Sequence, residues 1–163
     1  ASKVPAADYA AVADSVWIDL SKGLGCPVGA VMAGSTAFIE DAWIWKQRLG
    51  GSMRQSGVLA AAGLYALDNN VERLADDHAN ARRFAELATE IPGIAVDAAS
   101  VETNIVFLDV SAVGISAPEI SERLAARSVR IGAMGPDSIR AVTHLDVDRA
   151  GVEKAAEALR AVL

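Results

Sequence analysis

The sequence is poor in cysteine, histidine, aromatics and positive charge, and each shortage narrows what it can be. One cysteine, Cys26, in 163 residues excludes an internal disulfide framework and fits a reducing compartment, which points to the cytoplasm. His78 and His144 have no ligand-like spacing to each other or to Cys26, which argues against a zinc site. Lysine and arginine number 15 against 21 acidic residues, for a formal charge of −6. No basic run forms, and nucleic acid is not expected as the main partner. No apolar stretch reaches the ~20 residues of a membrane span, and no signal peptide is visible. Nucleophile-elbow and phosphate-loop patterns are absent, as are internal repeats. The opening "ASKVPAADYA" has no methionine and nothing that could begin a core. The first clear strand, near Val16, reads as buried, yet few strands follow soon enough to cover it. These features suggest a segment of a longer polypeptide whose N-terminal part is absent.

What is present is a globular composition, 52% hydrophobic and 22% charged, long enough for a real core. "SVWIDL" (15–20) and "GAVMA" (29–33) read as strands. Ser35 or Thr36 can cap a helix through "AFIEDAWIWKQRL", with Phe38, Ala42 and Trp45 on one face and Ile39 and Trp43 beside them. A long helical region, Val58 to Thr89, carries Leu64, Leu67, Val71, Leu74, His78, Ala81, Ala85 and Ala88 at spacings of three and four. Asp68 to Asn70 should bend or divide it, and "IPG" (91–93) should end it. Beyond this the texture changes. "TNIVFLDV" (103–110) reads as a strand. Ser116 and Glu119 stand at capping-box spacing before a helix, the pieces "VRIGA" and "IRAVTHLDV" follow, and Val152, Ala156, Leu159 and Leu163 mark a last amphipathic helix. Strand–helix–strand–strand–helix suggests a small α+β domain. The expected division is 1–92 and 93–163.

Lys22 follows a buried-looking run and precedes Gly23, Gly25, Cys26, Pro27 and Gly29. It reads either as an ordinary lysine reaching water from a strand end or as a Schiff-base nucleophile, activated by desolvation and approachable across the glycines. Arg54, in "GGSMRQSG" before a helix, is a surface arginine or a phosphate ligand, since a guanidinium beside free helix-start amides suits a phosphate. Arg140, in "DSIRAVTHLD", faces solvent or takes a carboxylate in two parallel hydrogen bonds. His78 and His144 read as structural.

"DLSKGLGCPVGAVMAG", "KQRLGGSMRQSGVLAAAGLYAL", "NNVERLADDHANA" and "RAVTHLDV" occur in an order that resembles the threonine aldolases, of the beta-eliminating lyase group of fold-type-I pyridoxal-phosphate enzymes. The resemblance runs from about Val16 to the end. It implies an α/β fold class: the C-terminal part of the large cofactor-binding domain, then the small α+β domain. It implies that Lys22 holds pyridoxal 5'-phosphate as a Schiff base, that Arg54 reaches the cofactor phosphate across a subunit interface, and that Arg140 clamps the substrate α-carboxylate. The family often has a lysine where this chain has Gln47, a further phosphate-side position with Lys46 and Arg48 beside it. The ring-stacking and ring-nitrogen partners belong to the family's N-terminal half.

The implied reaction is cleavage of a β-hydroxy-α-amino acid, threonine or allo-threonine, to glycine and an aldehyde. The implied partners are an amino-acid substrate, the N-terminal half of the same enzyme, and further copies in a homo-oligomer. Two other readings stand beside it: a related lyase that eliminates at Cβ, and a chain that by itself is a non-catalytic module.

Overall fold

The computed structural model describes residues 1–163. The elements in chain order are α1 (Ala6–Ala10), β1 (Ser15–Asp19), β2 (Ala30–Gly34), α2 (Thr36–Arg48), α3 (Gly57–Asn69), α4 (Leu74–Thr89), a 3-10 turn at Ala98–Ser100, β3 (Ile105–Asp109), α5 (Ala117–Ala125), β4 (Gly132–Ala133), β5 (Ser138–Val142) and α6 (Arg149–Val162). The chain is mixed α/β and divides into two compact units, Ser2–Glu72 and Arg73–Leu163. By its contacts, α4 therefore goes with the C-terminal elements. No helix is long and apolar enough to cross a membrane.

In the first unit β1 and β2 form an antiparallel ribbon in which Trp17 faces Met32 and Val16 faces Ala33. Ser35 caps α2 by accepting the Phe38 amide, as the sequence suggested. The expected burial of β1 does not occur: its residues are exposed or half-buried, and all of β2 is exposed. The cause is topological. Each strand has only the other as a sheet partner, and a two-stranded ribbon has no third layer to bury it. The apolar face of α2 is likewise uncovered, with Ile39 and Ala42 only half-buried and Phe38 and Trp45 exposed. The long helical region breaks between Asn69 and Leu74, as "DNN" suggested. Its apolar stripe is buried only in the second half: Leu64, Leu67 and Val71 are exposed, whereas Ala81, Ala85 and Ala88 have no accessible surface.

The small core of this unit gathers behind the loop that follows β1. Leu20, Leu24, Cys26 and Ala66 are its buried apolar residues. Gly63 of α3 makes room there, because a Cβ at that position would lie 3.2 Å from Leu20 Cδ1. Cys26 Sγ donates to the Ala62 carbonyl (3.4 Å), and Asn70 Nδ2 donates to the Leu24 carbonyl (2.8 Å). Two hydrogen bonds thereby fasten the loop to α3 and to its C-cap.

The second unit is the strand–helix–strand–strand–helix arrangement read from the sequence, with α4 added. Its sheet is antiparallel in the order β3-β5-β4. Alternation along the strands sends Val106, Leu108, Ile139 and Ala141 to one face, where they are buried with Phe84 of α4, Ile120 and Leu124 of α5, and Val152, Ala156 and Leu159 of α6. The opposite face carries Ile105, Phe107 and Asp109 of β3 with Arg140 and Val142 of β5, all exposed. Ser116 caps α5 through the Glu119 amide and Asp148 caps α6 through the Gly151 amide. After α4 ends at its cap Glu90, Pro92 and Gly93 form the centre of a turn closed by the Ile94 amide donating to the Ile91 carbonyl (3.2 Å), and the φ of +85 at Gly93 is one that glycine adopts at little steric cost.

Candidate active site

Lys22 stands in the turn that follows β1. The turn closes through the Gly25 amide donating to the Lys22 carbonyl (2.8 Å), and Leu20 is tied on both sides, its amide to the Gly29 carbonyl and its carbonyl to the Cys26 amide (each 2.9 Å). Gly25 and Gly29 have φ of +75 and +124, values costly for other residues. The glycines after Lys22 thus shape a turn whose base is buried and whose tip is exposed. The Lys22 side chain is 73% exposed and its Nζ lies 2.7 Å from Asp19 Oδ2, with the Trp17 ring centroid 5.7 Å away. Hydrogen bonding by Lys22, then by Ser21, holds the Asp19 carboxyl well below the ordinary range, to about 2. Asp19 is the neighbour that motif reading passed over, although its three-residue offset in "DLSK" made the pairing readable.

Arg54 lies in the turn before α3 and, like Gln47 near the end of α2, is exposed. Arg54 forms no ion pair. Ser56, at the start of α3, gives the first amides no side-chain cap. The cations beside Gln47 turn back onto their own helix, with Lys46 Nζ 5.0 Å from the Trp43 ring centroid and Arg48 Cζ 5.2 Å from that of Trp45. Arg140 occupies the middle of the central strand β5, on the open sheet face, also without an ion pair.

A second group of polar residues holds that strand in place. Thr143 Oγ1 donates to the Asp77 carbonyl (2.6 Å), Asn104 Nδ2 to the Thr143 carbonyl (2.9 Å) and Asn80 Nδ2 to the Val147 carbonyl (3.1 Å). Asp77, 1% exposed, takes Arg73 Nη2 at 2.6 Å. The "TN" of "TNIVFLDV" and the "TH" of "RAVTHLDV" were the available signals. The threonine in the second and the asparagine in the first are the stitches that join β5 to β3 and α4. His144 Nδ1 accepts the Asp146 amide at 3.3 Å. Burial pushes His78 below the ordinary imidazole range.

The chain belongs to the beta-eliminating lyase family, whose sequence model matches residues 1–111, a span that contains Lys22, Gln47 and Arg54 and stops before Arg140. It is 45% identical over 150 residues to the low specificity L-threonine aldolase of Escherichia coli K12, covering 92% of this chain and 43% of that protein. It is 40% identical over 150 residues to the low-specificity L-threonine aldolase 1 of Arabidopsis thaliana, covering 91% and 42%. The chain therefore spans less than half the length of these relatives. A solved structure from Listeria monocytogenes EGD-E shares the fold with TM-score 0.76 at 22% identity, covering 99% of this chain and 48% of the other. A solved C-DES variant with glycine covalently linked to its PLP cofactor matches with TM-score 0.54 at 19% identity, over 64% of this chain and 28% of the other.

Proposed function

We propose that this chain is the C-terminal part of a pyridoxal-phosphate enzyme that cleaves a β-hydroxy-α-amino acid, threonine or allo-threonine, to glycine and an aldehyde. In this reading residues 1–92 complete the large cofactor-binding domain and 93–163 form the small one. The observation that carries it is the 40–45% identity, over about nine-tenths of the chain, to proteins named L-threonine aldolases. The donor set fits the cofactor by its chemistry. Lys22 offers a primary amine on a glycine-flanked turn, Arg54 offers a guanidinium that no carboxylate engages, and α3 begins without a side-chain cap. Lys22 would hold the cofactor covalently through Nζ, and Arg54 with Gln47 would face its phosphate.

When bound, pyridoxal phosphate supplies an electron sink for the charge left on Cα as Cα–Cβ breaks. The Lys22–Asp19 pair must open before Nζ can act, so Asp19 is the group that receives the ammonium whenever the lysine is released. Arg140 takes the substrate carboxylate in two parallel hydrogen bonds and thereby fixes which bond at Cα is held for cleavage. The partners are the N-terminal half of the enzyme and further copies in a homo-oligomer. The exposed apolar surface of residues 2–72 supports both.

The test is borohydride reduction of the full-length protein with pyridoxal phosphate, followed by peptide mapping. The label should fall on Lys22, and a label on another lysine overturns the assignment. Lys22→Ala should abolish turnover while leaving the circular dichroism spectrum unchanged. The family's description favours one second reading, elimination at Cβ. Product analysis separates the two, since glycine plus an aldehyde means cleavage, and a keto acid plus ammonia means elimination.

A further inference from the structure

Arg140 sits in a row of three residues across the sheet, Phe107 on β3, Arg140 on β5 and Gly132 on β4. The two flanks of the arginine are unlike. The Thr143 amide donates to the Asn104 carbonyl and the Val110 amide to the Asp137 carbonyl, which marks 104/143 and 110/137 as hydrogen-bonded rows. Alternation in an antiparallel ladder makes 107/140 a non-hydrogen-bonded row, where facing Cα atoms approach to about 4.5 Å and side chains stand closest. On the other flank the Met134 amide donates to the Ser138 carbonyl (2.7 Å). Row 132/140 is then hydrogen-bonded and wider, with facing Cα atoms about 5.5 Å apart. Its far member has no side chain, and a Cβ built on Gly132 would meet nothing nearer than the Arg140 carbonyl oxygen, at 4.0 Å. Arg140 thus has an aromatic residue as its register partner on one side and a residue without a side chain on the other.

The rest of this face leaves the guanidinium available. The next row on one side is Ile105 with Val142, both apolar. The next row on the other side contains the one carboxylate, Asp109, whose Oδ1 accepts the Ser111 amide at 2.8 Å and which faces Ser138.

We propose that Phe107 and Gly132 are positioning residues for carboxylate recognition by Arg140: the ring bars one side of the guanidinium, and the missing side chain leaves the seat over β4 into which the α-carboxylate fits. This rests on the reading of Arg140 as the carboxylate clamp and adds the two residues that decide from which side the carboxylate enters. Phe107 is 57% exposed, so its contribution is to the direction of Arg140 and not to the core.

The experiment uses the full-length protein loaded with pyridoxal phosphate and two probes, glycine and methylamine. Both bring an amine and only glycine brings a carboxylate, so the ratio of their affinities, read from the change in cofactor absorbance, isolates carboxylate recognition. Gly132→Val should weaken glycine about tenfold or more, the scale of one charge-assisted hydrogen bond, and leave methylamine unchanged. Gly132→Ala should give a smaller loss of the same sign. Phe107→Ala should lower the ratio and Phe107→Leu should restore most of it. For threonine these variants should raise KM more than they lower kcat. Arg140→Ala supplies the reference, a collapse of the ratio. If Arg140→Ala collapses the ratio while the Phe107 and Gly132 variants leave it intact, the positioning proposal is overturned and the clamp stands. Equal losses of glycine and methylamine in those variants also overturn it. If Arg140→Ala leaves the ratio unchanged, the clamp reading fails and the proposal falls with it.

Discussion

Residues 2–72 and 73–163 have similar apolar content but very different fates for it. In the second region the apolar side chains of α4, α5, α6 and one sheet face close on each other in a single cluster. In the first, four apolar residues are buried while Trp17, Trp43, Trp45, Val58, Leu64 and Tyr65 are each more than half exposed. The difference is one of layers. Three helices cover one face of a three-stranded sheet, whereas nothing covers the ribbon of β1 and β2. A stripe of leucines on a helix is thus a demand for a partner, and the demand is met within the chain only after Glu72.

Substitutions in the two cores should separate them most sharply. Leu159→Ala, at a position with no accessible surface, should cost about 2–5 kcal/mol in urea unfolding followed by circular dichroism. Leu64→Ala, at 65% exposure, should stay within about 0.5 kcal/mol of the parent in the same chain. Equal costs would mean that α3 is as well packed as α6. Arg73→Ala comes next. It leaves Asp77 buried without its counter-charge and should cost about 3 kcal/mol in the same measurement, and a loss under 1 kcal/mol would show that Asp77 finds water or another donor.

A smaller effect should appear as a mismatch of probes. All three tryptophans fall in residues 2–72, so tryptophan emission reports that region and circular dichroism reports both. Emission should change at lower urea than ellipticity, and coincident transitions would argue for one cooperative unit. The smallest effect concerns pH. Burial holds His78 below the ordinary value of 6.5, so the unfolded chain binds the proton more readily. Its contribution to stability is complete above pH 6.5 and is lost as pH falls through the folded value. His78→Gln should flatten the melting temperature against pH in that window. Asp19 behaves with the same sign lower down, its contribution lost between its ordinary 3.8 and about 2.

Much of this arrangement was legible in the sequence because it is decided locally. The caps at Ser35 and Ser116, the break after Asp68–Asn70 and the left-handed Gly93 each follow from a side chain and its immediate backbone. So does the element order of the C-terminal region. Exposure was not legible, because periodicity identifies an apolar face without saying what lies against it; Val16 and Leu64 read as buried for that reason. The buried Asp77 and the link from Thr143 to its main-chain carbonyl were also missed, since an aspartate at the start of a helix reads as solvated until the segment 66 positions further on is brought against it. In the candidate site, Lys22, Arg54 and Arg140 were legible as residue types in recognisable blocks. The Asp19 partner was readable from its three-residue offset and was passed over, whereas the turning back of Lys46 and Arg48 onto indoles and the unlike flanks of Arg140 depend on helix-face geometry and strand register, which single motifs do not encode.

Gly63 also matters to anyone engineering this chain. Replacing a helix glycine by alanine is a routine way to gain up to about 1 kcal/mol of helix stability. Here the new methyl group would arrive 3.2 Å from the end of Leu20, two residues before Lys22. The gain would reach the protein as a push on the floor of the lysine turn, so a stabilisation screen scored on melting temperature alone would favour a change whose effect is felt at Lys22. Position 63 is best left out of such a library, or varied together with Leu20.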